Sequence, residues 1–325
     1  MGEEAINFCK DILSDVSRSF ALTIPMLDDN IYRPIMVTYL QDRLLDNFED
    51  EIQDISLKHR KYLMDRVVDI FNPDSTDFEK PLQEIRDNAD LLKEKPLQRL
   101  TRKANLLREA YDSLEREVKE ISFKWLQEMN DGMQQYLAKE VQTFSDLDQY
   151  CYYVAGTVGG FLTETIITKK NLPEEKAEIL LDNFNDAGLF LQKVNLVRDI
   201  KKDLQNRDKN FWPLKSLELK ADQLLNPEYQ DQAMEALGLM LADIKRHIPG
   251  LVDYFKALPD SLPGYKRFFS VNNALGLATI KKMEGNPDIF YGEKKVKVPK
   301  WEFSKILITP RKAFLNRCEE VGDSS

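Results

Sequence analysis

The sequence predicts an all-α protein, and three observations carry that expectation. Apolar residues recur three and four positions apart along most of the chain, which is the helical period. Alternating apolar and polar runs bounded by turn residues, the mark of strands, are almost absent. The 13 Gly and 14 Pro fall mostly between long periodic segments rather than inside them.

Taken in order, the segment holding Ile35, Met36, Val37, Tyr39, Leu40, Leu44 and Leu45 reads as a buried helix that runs into acids. FNPDSTDFEKP (71–81) reads as a loop. NLPEEKAEIL (171–180) opens a helix, with Asn171 as its cap, Pro173 in its first turn and acids following. NRDKNFWPLKS (206–216) breaks a long helical pattern, and IPGLVDYFKALPDSLPGYK (248–266) is punctuated by Pro and Gly. GNPDIFYGEKKVKVPK (285–300) is the one stretch that reads as extended or irregular. No solenoid repeat, low-complexity tract or Gly/Ser linker interrupts the chain. The simplest organisation is a single helical domain over residues 1–325, with a short basic C-terminal element around 285–325.

Composition narrows the function. Hydrophobic content of 42% and charged content of 31% fit a globular chain with a sizeable core. A net charge of −9 argues against nucleic acid as a partner. Cys9, Cys151 and Cys318 are too few and too scattered for a disulfide framework or a zinc site. With His59 and His247 the only histidines, His-rich metal sites are excluded. The acidic N-terminus has no secretory signature, and no apolar run is long enough to cross a membrane. A cytoplasmic, reduced setting fits best.

Two acidic clusters carry the chemistry. In YLQDRLLDNFEDE (39–51), Asp46, Glu49 and Asp50 stand at i, i+3 and i+4, which share a helix face. Carboxylates that close repel unless a cation neutralises them. In LFLQKVNLVRDIKKDLQ (189–205), Asn195, Asp199 and Asp203 fall four apart on one stripe, with Gln192 a turn earlier. Oxygen ligands of this kind suit Mg²⁺, which bridges carboxylates to phosphate. Two such helices facing one another would clamp a diphosphate through metal ions while an apolar pocket held the remainder. Arg43, Arg198 and Lys209 stand beside them as phosphate contacts. The plainer reading is that the acids pair with Arg43 or with Lys201 and Lys202 on solvated faces.

Four stretches, in this order, resemble the squalene/phytoene synthase family, the head-to-head trans-prenyltransferases. They are SRSFALTIPML (17–27), YLQDRLLDNFEDE (39–51), YCYYVAGTVGGFL (150–162) and GLFLQKVNLVRDIKKDLQNRDKNFWP (188–213). The last two look closer to the squalene-forming branch. The resemblance implies an all-α isoprenoid synthase fold, a helical bundle around a central cavity. It implies Mg²⁺ at Asp46, Glu49, Asp50, Asn195, Asp199 and Asp203. The implied reaction joins two farnesyl diphosphates through presqualene diphosphate, followed by reduction with NADPH. The alternatives are a member that stops short of reduction, giving dehydrosqualene, phytoene or presqualene diphosphate, and a divergent terpene synthase.

Residue by residue, the resemblance places Ser17, Arg18, Arg43, Gln192, Arg198 and Lys209 at the diphosphate and Phe20 in the substrate pocket. Tyr39, Tyr150 and Phe268 take catalytic roles. Tyr150 handles a proton, and Phe268 offers a ring face to a carbocation. FYGEKKVKVPK (290–300) resembles a basic segment of the squalene-forming members, with Lys295 and Lys297 holding the NADPH phosphate. The plainer reading of that segment is a solvated basic tail.

Four features depart from the family pattern. Lys202 replaces a glutamate in the second motif, Asp42 precedes Arg43, the loop before Phe211 is one residue longer, and Val271-Asn272-Asn273 stands where the family has Ile-Pro-Gln. The absence of an apolar tail after residue 310 suggests a cytoplasmic protein, peripheral at the inner membrane surface for product release. No obligate protein partner is implied.

Overall fold

The computed structural model describes residues 2–17, 19–52, 55–207 and 209–322. The α-helices are α1 (Gly2–Val16), α2 (Phe20–Thr23), α3 (Asp29–Asp50), α4 (Leu57–Ile70), α5 (Glu79–Asp87), α6 (Lys95–Arg102), α7 (Ala104–Asp112) and α8 (Arg116–Tyr136). There follow α9 (Phe144–Cys151), α10 (Thr157–Lys170), α11 (Glu174–Lys202), α12 (Gln230–Lys245), α13 (Ile248–Ala257), α14 (Pro263–Met283), α15 (Asp288–Tyr291), α16 (Lys300–Ile308) and α17 (Pro310–Gly322). Among the described residues the only β pairing is an isolated antiparallel bridge between Ile52 and Leu92. The protein is therefore all-α, as its periodicity predicts.

Local chemistry sets the helix ends. The Ser56 hydroxyl accepts from the His59 N–H and caps α4, and Thr143 with Asp146 closes a capping box at α9. Pro249 and Pro263 sit in the first turns of α13 and α14, where a missing N–H costs nothing. The start of α11 differs from expectation. Pro173 occupies the cap position itself, and Asn171 turns left-handed at φ 46° after α10 ends. Asn tolerates that conformation because its short polar side chain bonds locally. The predicted loop over 71–81 holds through residue 78, and its last three residues, Glu79 to Pro81, already form the first turn of α5. The 285–300 stretch is irregular apart from the one-turn helix α15, and Gly285 supplies a φ of 63° there.

The chain divides into two compact units. The first comprises residues 1–138 and 160–171, so it holds α1–α8 and most of α10. Its core includes Leu40, Leu44, Leu45 and Phe48 on α3 and Leu63, Met64 and Val67 on α4, all with no exposed surface. The second comprises residues 139–159 and 172–325. Its centre is α14, buried along nearly its whole length, with α11 packed against α12, α13 and α14.

Two widened π-helical turns, Tyr152–Gly156 and Asp203–Arg207, interrupt the second unit just after Cys151 and just after Lys202. Such turns recur at functional sites because they redirect side chains without ending a helix. The first packs backbone to backbone on α11. A Cβ on Gly188 would lie 2.5 Å from the Ala155 carbonyl oxygen, and one on Gly156 would lie 2.5 Å from Asn185 Oδ1. The glycines of the YVAG and AGLF stretches therefore serve close approach.

Candidate functional site

The first acidic cluster belongs to the first unit. Helix α3 is held by a buried polar bridge in which the Ser122 hydroxyl donates to Gln41 Oε1 (2.7 Å) and the Thr38 hydroxyl donates to Ser122 Oγ (3.3 Å). Its C-terminal end is held by Arg60, which donates to the carbonyl oxygens of Glu49 (2.9 Å) and Ile52. A cation there also suits the negative end of the helix dipole. The acids thus sit on a fixed helix end. Glu49 is buried, whereas Asp46 and Asp50 are half-buried. Arg43 stands 3.9 Å from Asp46 and 3.9 Å from Glu51.

Helical spacing predicts that the three carboxylates gather, but they do not close into a tight group. Among the described residues, the acidic or histidine side chains that bring three ligand atoms within 4.8 Å of one another are Asp148, Asp243 and His247. One turn earlier, Asp42 is buried. That burial, with the Asp46 charge beside it, holds its carboxyl well above the usual carboxylate range.

Ser17, Phe20, Tyr39 and Arg43 do come together. The Ser17 Oγ accepts from the Phe20 N–H (3.2 Å), and the Phe20 ring lies 5.3 Å from the Tyr39 ring. Burial raises the Tyr39 pKa, opposed by a hydrogen bond with Ser17 and by the Arg43 charge. Arg18, expected at the diphosphate, lies outside the described residues.

The second cluster belongs to the second unit. Asn195 and Asp199 are half-buried on α11, and Asp203, buried, caps its C-terminus. The Arg198 guanidinium donates to Asp199 Oδ2 at 2.8 Å, and the Lys295 ammonium pairs with Asp199 Oδ1. Burial works to raise the Asp199 pKa, but these two cations outweigh it and hold the carboxyl below its usual range. Lys201 donates to the Gly292 carbonyl (3.0 Å), so the 290–300 segment is tied to this end of α11 at two points. Lys202 is exposed. The loop that follows is clamped by Trp212, fully buried, whose indole N–H donates to the Leu196 carbonyl (3.3 Å). Phe211 there stacks on Tyr150 with centroids 4.3 Å apart, and Lys209 Nζ lies 6.0 Å from the Phe211 ring.

Gln192 is half-buried one turn before Asn195, and Lys297 is exposed. Phe268 is buried on α14 beside Tyr265 (5.9 Å). Asn272 and Asn273 each donate to a carbonyl four residues back, at Phe268 and Phe269. One N–H of each amide is thus used within the helix.

The arrangement at Lys193 is not legible in the sequence. This residue of α11 has no exposed surface. Its ammonium donates to Asp148 of α9, to Asp243 of α12 and to His247 Nε2 (2.9 Å). Arg246 bridges the same two aspartates, and His247 Nδ1 donates to Asp186 at 2.6 Å. With the ammonium donating, Nε2 accepts and Nδ1 carries the hydrogen that Asp186 accepts. A Cβ on Gly250 would lie 1.9 Å from Asp186 Oδ2, so glycine leaves the room that Asp186 needs. The faint signal was a lysine among Leu189, Phe190, Val194, Leu196 and Val197.

An all-helical fold carrying two acidic helix ends, with arginines and a stacked tyrosine beside them, defines an isoprenoid synthase. The sequence model of the squalene/phytoene synthase family matches residues 13–302. The chain is 30% identical over 315 residues to a squalene synthase of Botryococcus braunii, covering 94% of this chain and 64% of that one. It is 27% identical over 300 residues to the squalene synthase of Homo sapiens, covering 90% and 67%. The chain thus spans about two thirds of the length of the curated relatives it matches. A ligand-bound structure of TcSQS superposes with a TM-score of 0.83 at 28% identity, covering 98% of this chain and 90% of that one. A dehydrosqualene synthase shares the fold at a TM-score of 0.62 and 16% identity, covering 97% and 98%. The chain belongs to the squalene/phytoene synthase family. Among the described residues no helix is long and apolar enough to cross a membrane.

Proposed function

We propose that this chain is a squalene synthase, joining two farnesyl diphosphates head to head through presqualene diphosphate and reducing the product with NADPH. The observation that carries the reading is the second cluster. Its Asp199 is kept ionised by Arg198 and Lys295, and Tyr150 is stacked on the Phe211 loop that follows it.

The donor set fits Mg²⁺. Asp46, Glu49, Asp50, Asn195, Asp199 and Asp203 offer only oxygen, and ionised carboxylate oxygen is what a hard cation takes. When bound, the metal neutralises a departing diphosphate. Arg43, Arg198, Gln192 and Lys209 then contact phosphate oxygens, with Ser17 and Arg18 contributing from the SRSF stretch. Phe20 lines the prenyl pocket. In this reading Tyr39 and Tyr150 hold or pass a proton, and Phe268 faces a cation without quenching it. Lys297, exposed, and Lys295 supply the charge that NADPH needs.

One observation favours a non-reductive product, namely dehydrosqualene, phytoene or presqualene diphosphate. Lys295 is already engaged by Asp199, which competes with any cofactor phosphate. The two readings separate on incubating the protein with farnesyl diphosphate and Mg²⁺, with and without NADPH, and identifying products by mass spectrometry. Squalene formed only with NADPH is expected. A product set indifferent to NADPH refutes the reductive step. In the same assay Lys295→Ala/Lys297→Ala is expected to cut squalene about tenfold and spare presqualene diphosphate. Unchanged squalene removes those lysines from cofactor binding.

A further inference from the structure

Helix α16 carries two large apolar side chains that nothing covers. Trp301 is 67% exposed and Ile308 78%, the highest values among the large hydrophobic residues. They lie seven residues apart, two helical turns, with Lys305 between them on the same face. The opposite side is fixed to the body of the second unit. Ile306 has no exposed surface, Glu302 pairs with Arg317 (3.1 Å) and Lys282 (3.4 Å), and Arg267 donates to the Leu307 carbonyl (3.3 Å). The tryptophan and isoleucine therefore project from an anchored helix.

Charge around them is one-sided. EKKVKVPKWEFSKILITPRK (293–312) holds seven basic and two acidic residues in a chain whose net charge is −9. One of those two acids, Glu302, is drawn inward by its partners. Lys300, Lys305, Arg311 and Lys312 are exposed alongside Trp301 and Ile308.

We propose that this face of α16 and the turn after it dock on an anionic lipid bilayer. Lysine is depleted at protein interfaces, because a flexible and strongly hydrated ammonium gains little there. At a bilayer the same group stays hydrated among anionic headgroups while tryptophan seats at the headgroup level. Basic residues flanking exposed Trp and Ile on a helix lying along the surface are the signature of that mode. The chain leading into this face is the segment tied to α11 through Lys201–Gly292 and Lys295–Asp199. Docking would thus hold the second acidic cluster near lipid, where an apolar ligand is exchanged.

The molecule carries its own reporter. Of the three tryptophans, Trp212 has no exposed surface and Trp125 is 7% exposed, so Trp301 is the one that a surface can dry. The full chain is titrated with phosphatidylcholine/phosphatidylglycerol vesicles and with pure phosphatidylcholine vesicles, reading tryptophan emission and co-sedimentation. Expected is a blue shift and co-sedimentation with the anionic vesicles, both weakened by salt. Trp301→Phe abolishes the blue shift, and Lys300→Glu/Lys305→Glu weakens binding about tenfold or more. Vesicle-free turnover of farnesyl diphosphate is unchanged in both variants, which shows that they fold. Absence of binding to the anionic vesicles overturns the proposal. So does equal binding to both lipids, or a concentration-dependent blue shift without lipid, which would mark the face as a contact between protein copies.

Discussion

Helix α11 carries two charge clusters six residues apart, about 9 Å along its axis, and they are built in opposite ways. Around Lys193 the network is closed. An ammonium with no exposure is met by Asp148, Asp243 and His247 from three other elements, and Arg246 and Asp186 complete the second layer. Around Asp199 it is open. The carboxylate is 21% exposed, its partners Arg198 and Lys295 are 29% and 40% exposed, and Lys295 arrives from an irregular segment. Buried ion pairs hold geometry because leaving any member unpaired is costly. Half-exposed pairs are cheap to exchange. The closed cluster sets where α9, and with it Tyr150, stands relative to α11. The open one can trade its cations for a ligand.

The contrast breaks most visibly at Asp199. Asp199→Asn should lower turnover of farnesyl diphosphate about a thousandfold while moving the melting temperature by no more than ~2 °C. Next, Lys193→Met takes the buried cation away from two half-buried carboxylates and leaves them Arg246 alone. It should destabilise by about 3–5 kcal/mol in thermal or denaturant unfolding, with activity falling only as the folded fraction falls. Smaller again, Gly250→Ala pushes a Cβ into Asp186. A loss of roughly 1–3 kcal/mol is expected, read as a lower denaturant midpoint at unchanged slope.

The smallest effect sharpens the comparison on the first acidic helix. Asp42 has a folded-state pKa raised by burial and by Asp46. Its ionised form is therefore disfavoured in the fold. The cost is present above that raised pKa and vanishes once pH falls below the ordinary carboxylate range. Asp42→Asn should raise the melting temperature at neutral pH by about 2 °C and leave it unchanged near pH 3. A gain that persists at acid pH would assign the effect to packing instead.

Much of this was legible in the sequence. The helical period, the two acidic runs and the FWP loop are local patterns, and the structure keeps them local: Asp46 to Asp50 on one helix end, Asn195 to Asp203 on another. What escaped was long-range. Lys193 looks like an isolated charge in an apolar run, because its partners lie 45 to 54 residues away along the chain. Lys295 reads as part of a basic tail until the fold sets it on Asp199. The π-helical turn that begins at Asp203 has no composition of its own. For Asp46, Glu49 and Asp50, spacing fixes which helix face the side chains share, and their distances depend on the rotamers each adopts.

The central claim is that the two charge clusters on α11 divide scaffold from chemistry. The most direct test measures melting temperature and turnover for Asp199→Asn and Lys193→Met side by side. The account predicts a folded but inactive first variant, and a second that loses stability yet keeps its turnover per folded molecule. An Asp199→Asn protein with full turnover, or a Lys193→Met protein as stable as the parent, would contradict it.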